Sequence, residues 1–169
     1  MNFIPIKTES FQPPKDNIEK ALKHLPKLHN GDIIFITSKI IAIHQGRCIK
    51  ISDKVDKNKL IEDEAEYLLP LNPTAKHKMR LAIKNHVLIP SSGIDESNGN
   101  GYYILWPKNV NTELKRIHEL LTKQNKIKNL GLVATDSHTT PLRRGVSGIS
   151  MGLFGFEPVK DMRGTKDIF

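Results

Sequence analysis

Residues Ile33 to Ile43 form a long apolar, β-branched run, broken only by Thr37, Ser38 and Lys39. No other stretch constrains the fold so tightly. β-Branched side chains lose rotamer freedom in helices and pack well on a pleated surface. Apolarity that is continuous rather than alternating predicts a strand buried on both faces. Leu130 to Thr135 has the same character and predicts a second buried strand. A chain of 169 residues can enclose such strands in one compact domain, burying roughly two-thirds of its unfolded surface.

The remaining elements are shorter. Phe3 to Lys7 reads as a strand and Phe11 to Lys15 as a loop. Asp16 is placed to cap a helix carrying Ile18, Leu22 and Leu25 at helical spacing. Asn30-Gly31-Asp32 makes a turn, and Gly46-Arg47 reads as a hairpin turn. Asn58 to Leu69 reads as an acidic helix, and Met79 to Ile89 as one or two strands. Ser91 to Gly101 is a polar, glycine-bearing loop, and Tyr102 to Trp106 a strand stopped by Pro107. Thr112 is placed to cap a helix to about Gln124, with Leu114, Ile117, Leu120 and Leu121 on one face. Asp136 to Gly145 reads as a loop and Val146 to Gly155 as a glycine-rich strand. Strands outnumber helices without alternating with them, which predicts an α+β fold: a mixed sheet with few helices in a single domain.

Several function classes drop out on composition. No apolar run approaches the ~20 residues that span a bilayer. Met1 to Pro5 lacks the charged head and apolar stretch of a signal peptide, so a cytoplasmic location is expected. Cys48 is the single cysteine, which excludes an internal disulfide and a cysteine-based zinc cage. It sits in a strand-like run and reads as a packed thiol, a reactive one being the alternative. The net charge of +8 favours anionic partners. The lysines are spread along the chain with no arginine stripe or aromatic–basic alternation, so a solvated lysine-rich surface is expected and nucleic acid is not.

Three polar islands interrupt the apolar strands. Thr37-Ser38-Lys39 offers two hydroxyls and an ammonium to phosphate oxygens, or a strand's solvent-facing side. Ser91 to Gly101 offers Asp95 as a hard oxygen ligand, Asn98 as a phosphate or base contact, and three glycines whose amides can turn toward a ligand. The same loop is equally readable as a series of Asx turns, with Glu96 a second ligand or a solvated side chain. Thr135-Asp136-Ser137-His138 puts a carboxylate directly after an apolar strand. Pro141 to Gly145 then brings Arg143 and Arg144, which can neutralise phosphate or carboxylate charge. His138 reads as a surface histidine, with base or ligand as the alternative. One carboxylate per loop suits Mg²⁺, which takes one or two protein carboxylates and completes its shell with water and phosphate. No Gly-x-x-x-x-Gly-Lys-Ser/Thr or Gly-x-Gly-x-x-Gly is present, so no general nucleotide motif applies.

In this order, the islands resemble the coenzyme F-420 γ-glutamyl ligase family. The matching segments are Gly31 to Lys39, Gly46-Arg47, Gly93 to Asn98, Thr135 to Ser137, Arg143 to Gly145, and Asp161 to Asp167. The resemblance implies an α+β fold and an intertwined homodimer. It implies a ligase that adds L-glutamate to a carboxylate of a deazaflavin coenzyme precursor, using GTP and Mg²⁺ or Mn²⁺. By the same resemblance Asp95 and Asp136 hold a metal ion, and Ser137, often threonine in the family, helps a second. Ser38, Lys39 and Asn98 contact the nucleotide. The chemistry of joining two anions adds Arg143 and Arg144 as catalytic charge clamps. The two carboxylates are expected to share one site, ~4–8 Å apart, or to hold a lysine when no metal is bound.

Two departures stand out. Many family members carry a phosphate-binding lysine where this chain has Ile43, leaving His44 or Lys39 to replace it. The Ile43 to Arg47 variant resembles a bacterial branch linked to folate. Family members also continue well past Phe169, so a C-terminal portion is expected to be lacking. The competing reading is a degenerate module that binds metal and nucleotide without ligating.

Overall fold

The computed structural model describes residues 2–70, 79–140 and 142–166. Pro141 of the arginine loop, and the end of the Asp161 to Asp167 segment, lie outside the described residues. Among the described residues the chain order is α1 (Glu19–Leu22), β1 (Asp32–Thr37), α2 (Ser38–His44), β2 (Cys48–Lys50), α3 (Lys57–Glu64), β3 (Tyr67–Leu68), β4 (Leu81–Lys84), β5 (Val87–Pro90), β6 (Tyr102–Ile104), α4 (Val110–Asn125), β7 (Leu130–His138) and β8 (Ser147–Phe154). The α+β expectation holds. No helix among them is long and apolar enough to cross a membrane.

Three small sheets carry the architecture, in the orders β1-β7-β8, β2-β6 and β3-β4-β5. In the first, β1 runs parallel to β7, from Asp32 opposite Leu130 to Thr37 opposite Thr135. β8 returns antiparallel to β7, with a register shift between Ala134 and Thr135. α4 lays its apolar stripe, Val110, Leu114, Ile117 and Leu121, against Ile36, Leu130, Leu132 and Ala134. A smaller core of Ile61, Ile94, Tyr103 and Leu105 packs under α3 and β6.

The Ile33 to Ile43 run is not one strand. It is β1 followed directly by α2, the chain switching at Thr37 in an extended conformation. β1 is not buried on both faces: Ile34 and Ile36 join the core, whereas Ile33 is 47% and Phe35 59% exposed. A continuous apolar run hides the change of period from two to 3.6, because apolar residues satisfy both patterns. α2 then buries Ile41, Ala42 and Ile43.

Gly46-Arg47 does not turn a hairpin. Gly46, at φ +70°, ends α2: its N–H donates to the Ile43 carbonyl (3.0 Å) and that of Arg47 to the Ala42 carbonyl (2.9 Å). This is the paired bonding of a Schellman cap. The hairpin lies instead between β4 and β5, where Asn85 and His86 both take positive φ, as a tight two-residue turn requires.

Other boundaries move. Residues 3–7 form no strand. α1 is a single turn, although Asp16 does bond to the Asn17 and Gln12 N–H groups just before it. The acidic helix is shorter than Asn58 to Leu69: Asp56 caps it through the Asn58 N–H, and the chain leaves it for β3. Asn109 at φ 48°, not Thr112, stands at the N-cap of α4. β7 runs on through Asp136, Ser137 and His138, which are strand and not loop, because β8 pairs with all three.

Candidate metal and phosphate site

Parallel pairing places Thr37 and Thr135 side by side, so the next residues of both strands emerge at the same sheet edge. Ser38 opens α2 there and Asp136 continues β7. The loop after β5 reaches the same edge by a strained path. Ser91, Ser92 and Gly93 all have positive φ, and the buried Ser92 hydroxyl donates to the Ile61 carbonyl (2.6 Å). Asp95 is then fixed by reciprocal backbone bonds with Ile104, 2.9 and 2.8 Å. The result is a cavity of about 350 Å³ lined by Thr37, Ser38, Lys39, Gly93, Asp95, Ser97, Ile104, Leu105, Trp106, Asp136 and Ser137.

The two carboxylates are held differently. Asp95 Oδ2 pairs with Lys39 Nζ at 2.5 Å, while Oδ1 accepts from the Ser97 N–H and hydroxyl, each at 2.7 Å. Burial opposes ionisation of Asp95, but the bonds from Lys39 and Ser97 and the Lys39 charge outweigh it. The carboxyl is held below its ordinary range. Among the described residues no cation pairs with Asp136. Its Oδ2 accepts from Trp106 Nε1 at 2.5 Å, and its Oδ1 from the Ser137 N–H at 2.7 Å.

Among the described residues the donor set is hard: two carboxylates and the hydroxyls of Thr37, Ser38, Ser97 and Ser137, with no sulfur or imidazole. That chemistry fits Mg²⁺ or Mn²⁺ better than zinc. Among the described residues no three or more of His, Cys, Asp and Glu converge. A protein site of two carboxylates therefore leaves several positions to water and phosphate.

Of the residues singled out in the sequence, Ser38, Lys39, Asp95, Asp136 and Ser137 come together here. Asn98 does not line the cavity; it is exposed in the same loop at φ 57°. Arg143 and Arg144 lie exposed between β7 and β8 and do not line it either. Glu96 turns to Lys57 (2.5 Å), and His138 Nε2 lies 3.2 Å from the Leu88 carbonyl. Ile43 is buried against Ala42 and Ile104. His44 cannot replace a phosphate-binding lysine there, since it contacts Asp16, Ile18, Glu113 and Arg116 instead. Among the described residues Lys39 is the cation that lines the cavity. Cys48 is half-buried, and burial pushes its thiol up, away from the thiolate form.

Sequence reasoning missed Trp106, which was read only as the end of a strand. It also missed a cluster next door. Glu64 accepts from Arg47 Nη2 at 2.7 and 2.6 Å and pairs with Lys84, whose ammonium lies 5.9 Å from the Trp106 ring centroid. Glu64, Lys84 and Trp106 line a second cavity of about 700 Å³. The lone tryptophan beside an island was the available signal, since a buried indole N–H needs an acceptor.

The family described as F420-0:Gamma-glutamyl ligase matches residues 5–169. The chain belongs to that family. A coenzyme F420:L-glutamate ligase of Methanopyrus kandleri is 22% identical across 100% of this chain and 72% of its own length. Proteins of the same name from Methanocaldococcus jannaschii and Methanosarcina mazei are 27% and 24% identical, over 90% and 91% of this chain and 66% and 65% of theirs. The chain thus spans about two thirds of the length of these curated relatives. All three are archaeal, and nothing in them supports a bacterial, folate-linked branch.

Proposed function

We propose that this chain carries the metal and phosphate site of a ligase that joins L-glutamate to a carboxylate of an F-420 coenzyme precursor, using GTP and Mg²⁺ or Mn²⁺. The observation that carries the reading is the convergence of Ser38, Lys39, Asp95, Asp136 and Ser137 on one cavity from three distant segments. Family membership supplies the reaction class, and the relatives' names favour an F-420 precursor over a folate.

A carboxylate is a poor acyl donor, because its leaving group would be oxide or hydroxide. Attack of the precursor's carboxylate oxygen on the γ-phosphorus breaks the bond to GDP and forms an acyl phosphate. The glutamate amine then attacks the acyl carbon, phosphate leaves with the C–O electron pair, and the amine gives up its proton. Asp95 and Asp136 would hold the cation, which when bound offsets the charge of two anions brought together. Lys39 would turn from Asp95 to the phosphates, exchanging one anion for another. Ser38 and Ser137 would donate hydroxyl hydrogen bonds to phosphate oxygens. The cavity of about 700 Å³, which shares Trp106 in its lining, would give the coenzyme precursor room. A cytoplasmic homodimer completes the proposal, and sedimentation velocity tests its assembly.

A second reading has its own observation. Ile43, where the family resemblance leads one to expect a phosphate-binding lysine, is apolar and buried, and Lys39 is already engaged with Asp95, which suits a module that binds without ligating. Mass spectrometry of the precursor after incubation with GTP, Mn²⁺ and L-glutamate separates the two. A glutamylated product supports the ligase. Mn²⁺ and GTP binding without product selects the module, and loss of both overturns the site.

A further inference from the structure

Trp106 is the chain's single tryptophan, and it is only 2% exposed. As packing alone, a phenylalanine would serve. The indole differs by one N–H, which when buried costs roughly 1–3 kcal/mol unless it finds an acceptor. Here the acceptor is not a neighbouring carbonyl but Asp136 Oδ2, in the wall of the small cavity.

The ring cannot drift from that contact. Gly93 lies against it so closely that a Cβ on residue 93 would stand 2.4 Å from Trp106 Cε2. The Trp106 carbonyl accepts from Arg47 Nε (3.1 Å), and Arg47 is anchored in turn by Glu64. Lys84 sits over the ring. One residue therefore touches all the parts: the turn that leads to Asp95, the Asp136 carboxylate, and the charged cluster of the second cavity.

The chemistry of the donor matters. Lys39 orients Asp95 but cancels its charge. An indole N–H is neutral and donates only, so it fixes the Asp136 carboxylate while leaving its full negative charge for a ligand. With Oδ1 tied to the Ser137 N–H as well, the carboxylate plane is set, and among the described residues no other partner occupies its remaining lone pairs.

We propose that Trp106 is a positioning residue, whose indole N–H holds Asp136 in the orientation needed to bind the divalent cation. The inference rests on the metal reading above. Partners that orient a ligating carboxylate typically account for about 10–100-fold in metal affinity.

Trp106→Phe keeps the ring and removes the N–H. Calorimetric titration with Mn²⁺ should show affinity about 10-fold or more below wild type, with a melting temperature close to it. Equal Mn²⁺ affinity in the two proteins overturns the inference and leaves the metal reading standing. A wild-type protein that binds no Mn²⁺ overturns both. Should Trp106→Phe fail to fold, the wild-type indole decides, because one tryptophan gives one indole N–H resonance. That resonance should lie downfield of free indole, shift on Mg²⁺ addition, and move toward the free position in Asp136→Ala. An indole resonance indifferent to Mg²⁺ and to Asp136→Ala overturns the inference.

Discussion

Glu64 joins the two cations of the cluster beside the second cavity. Its carboxylate lies between the Arg47 guanidinium and the Lys84 ammonium, with side chains 15%, 18% and 11% exposed. Burial works against the Glu64 charge, but the bonds from Lys84 and Arg47 outweigh it and hold the carboxyl below its ordinary value. Burial dominates for Lys84 and, with the repulsion of Arg47 and Lys108, pushes it down despite the bond from Glu64. Glu64→Gln would leave both cations without a counter-charge and should cost about 3 kcal/mol in a denaturant titration. The pH dependence follows from the lowered Glu64 value. As pH falls, the unfolded chain takes up this proton first. The stabilisation is complete above about pH 4.3, the ordinary glutamate value, and is lost as pH drops through the lower folded value. Wild type should therefore lose melting temperature below about pH 4.3 more steeply than Glu64→Gln. Asp136→Asn should behave in the opposite way. Its amide oxygen can still accept from Trp106, so the fold should survive while Mn²⁺ binding disappears. Unchanged Mn²⁺ affinity by calorimetry would make Asp136 a structural residue.

At the level of elements, amphipathic α4 was the easiest to read. Leu114, Ile117 and Leu121 recur at helical spacing and all are buried. Leu114 is fully enclosed, so Leu114→Ala should destabilise by roughly 2–5 kcal/mol, depending on how far the sheet can collapse on the gap. A change under ~1 kcal/mol in chemical denaturation would mean that α4 is not the main cover of the sheet. The strands Leu130 to Thr135 and Met79 to Ile89 were legible for similar reasons, from β-branching and bounding turn residues. The β1–α2 junction was not. Every residue around Thr37-Ser38-Lys39 suits either period, and the deciding signal was Gly46, which serves a helix end as well as a hairpin. The extension of β7 through Asp136 was hidden too, because only pairing with β8 makes that polar stretch a strand. The site divides along the same line. Residues on or beside strands, Ser38, Lys39, Asp95, Asp136 and Ser137, line one cavity. Those on exposed loop positions, Asn98, Arg143 and Arg144, lie outside the cavity, because side-chain chemistry alone does not say where a loop tip points. Trp106 escaped because its partner is thirty residues away, a contact no local pattern records.

Over the whole molecule, the +8 charge is distributed and not focused. Lys20, Lys59, Lys115 and Arg116 pair with acids on the surface, and such pairs contribute little individually. Lys39, Arg47 and Lys84 are the cations tied up near the two cavities. The excess positive charge therefore acts as a background field that draws anions, while the carboxylates of the proposed site repel them; on the metal reading proposed above, a bound cation would offset that repulsion. Binding should then be ordered by charge: nucleotide alone weak, Mn²⁺–nucleotide stronger. Salt separates this behaviour from nucleic-acid binding. A protein that neutralises six to ten phosphates loses about 10³–10⁵ in affinity between 50 and 200 mM salt. A triphosphate held by one lysine, a few hydroxyls and a metal ion releases few counterions, so its affinity should fall only severalfold over that range. Fluorescence titration of Mn²⁺–GTP at increasing KCl, followed through Trp106, measures the slope directly. A shallow slope supports a built phosphate site, whereas a steep one, matched by equally steep binding of a short duplex, would mean that the lysine-rich surface and not the cavity is what anions recognise.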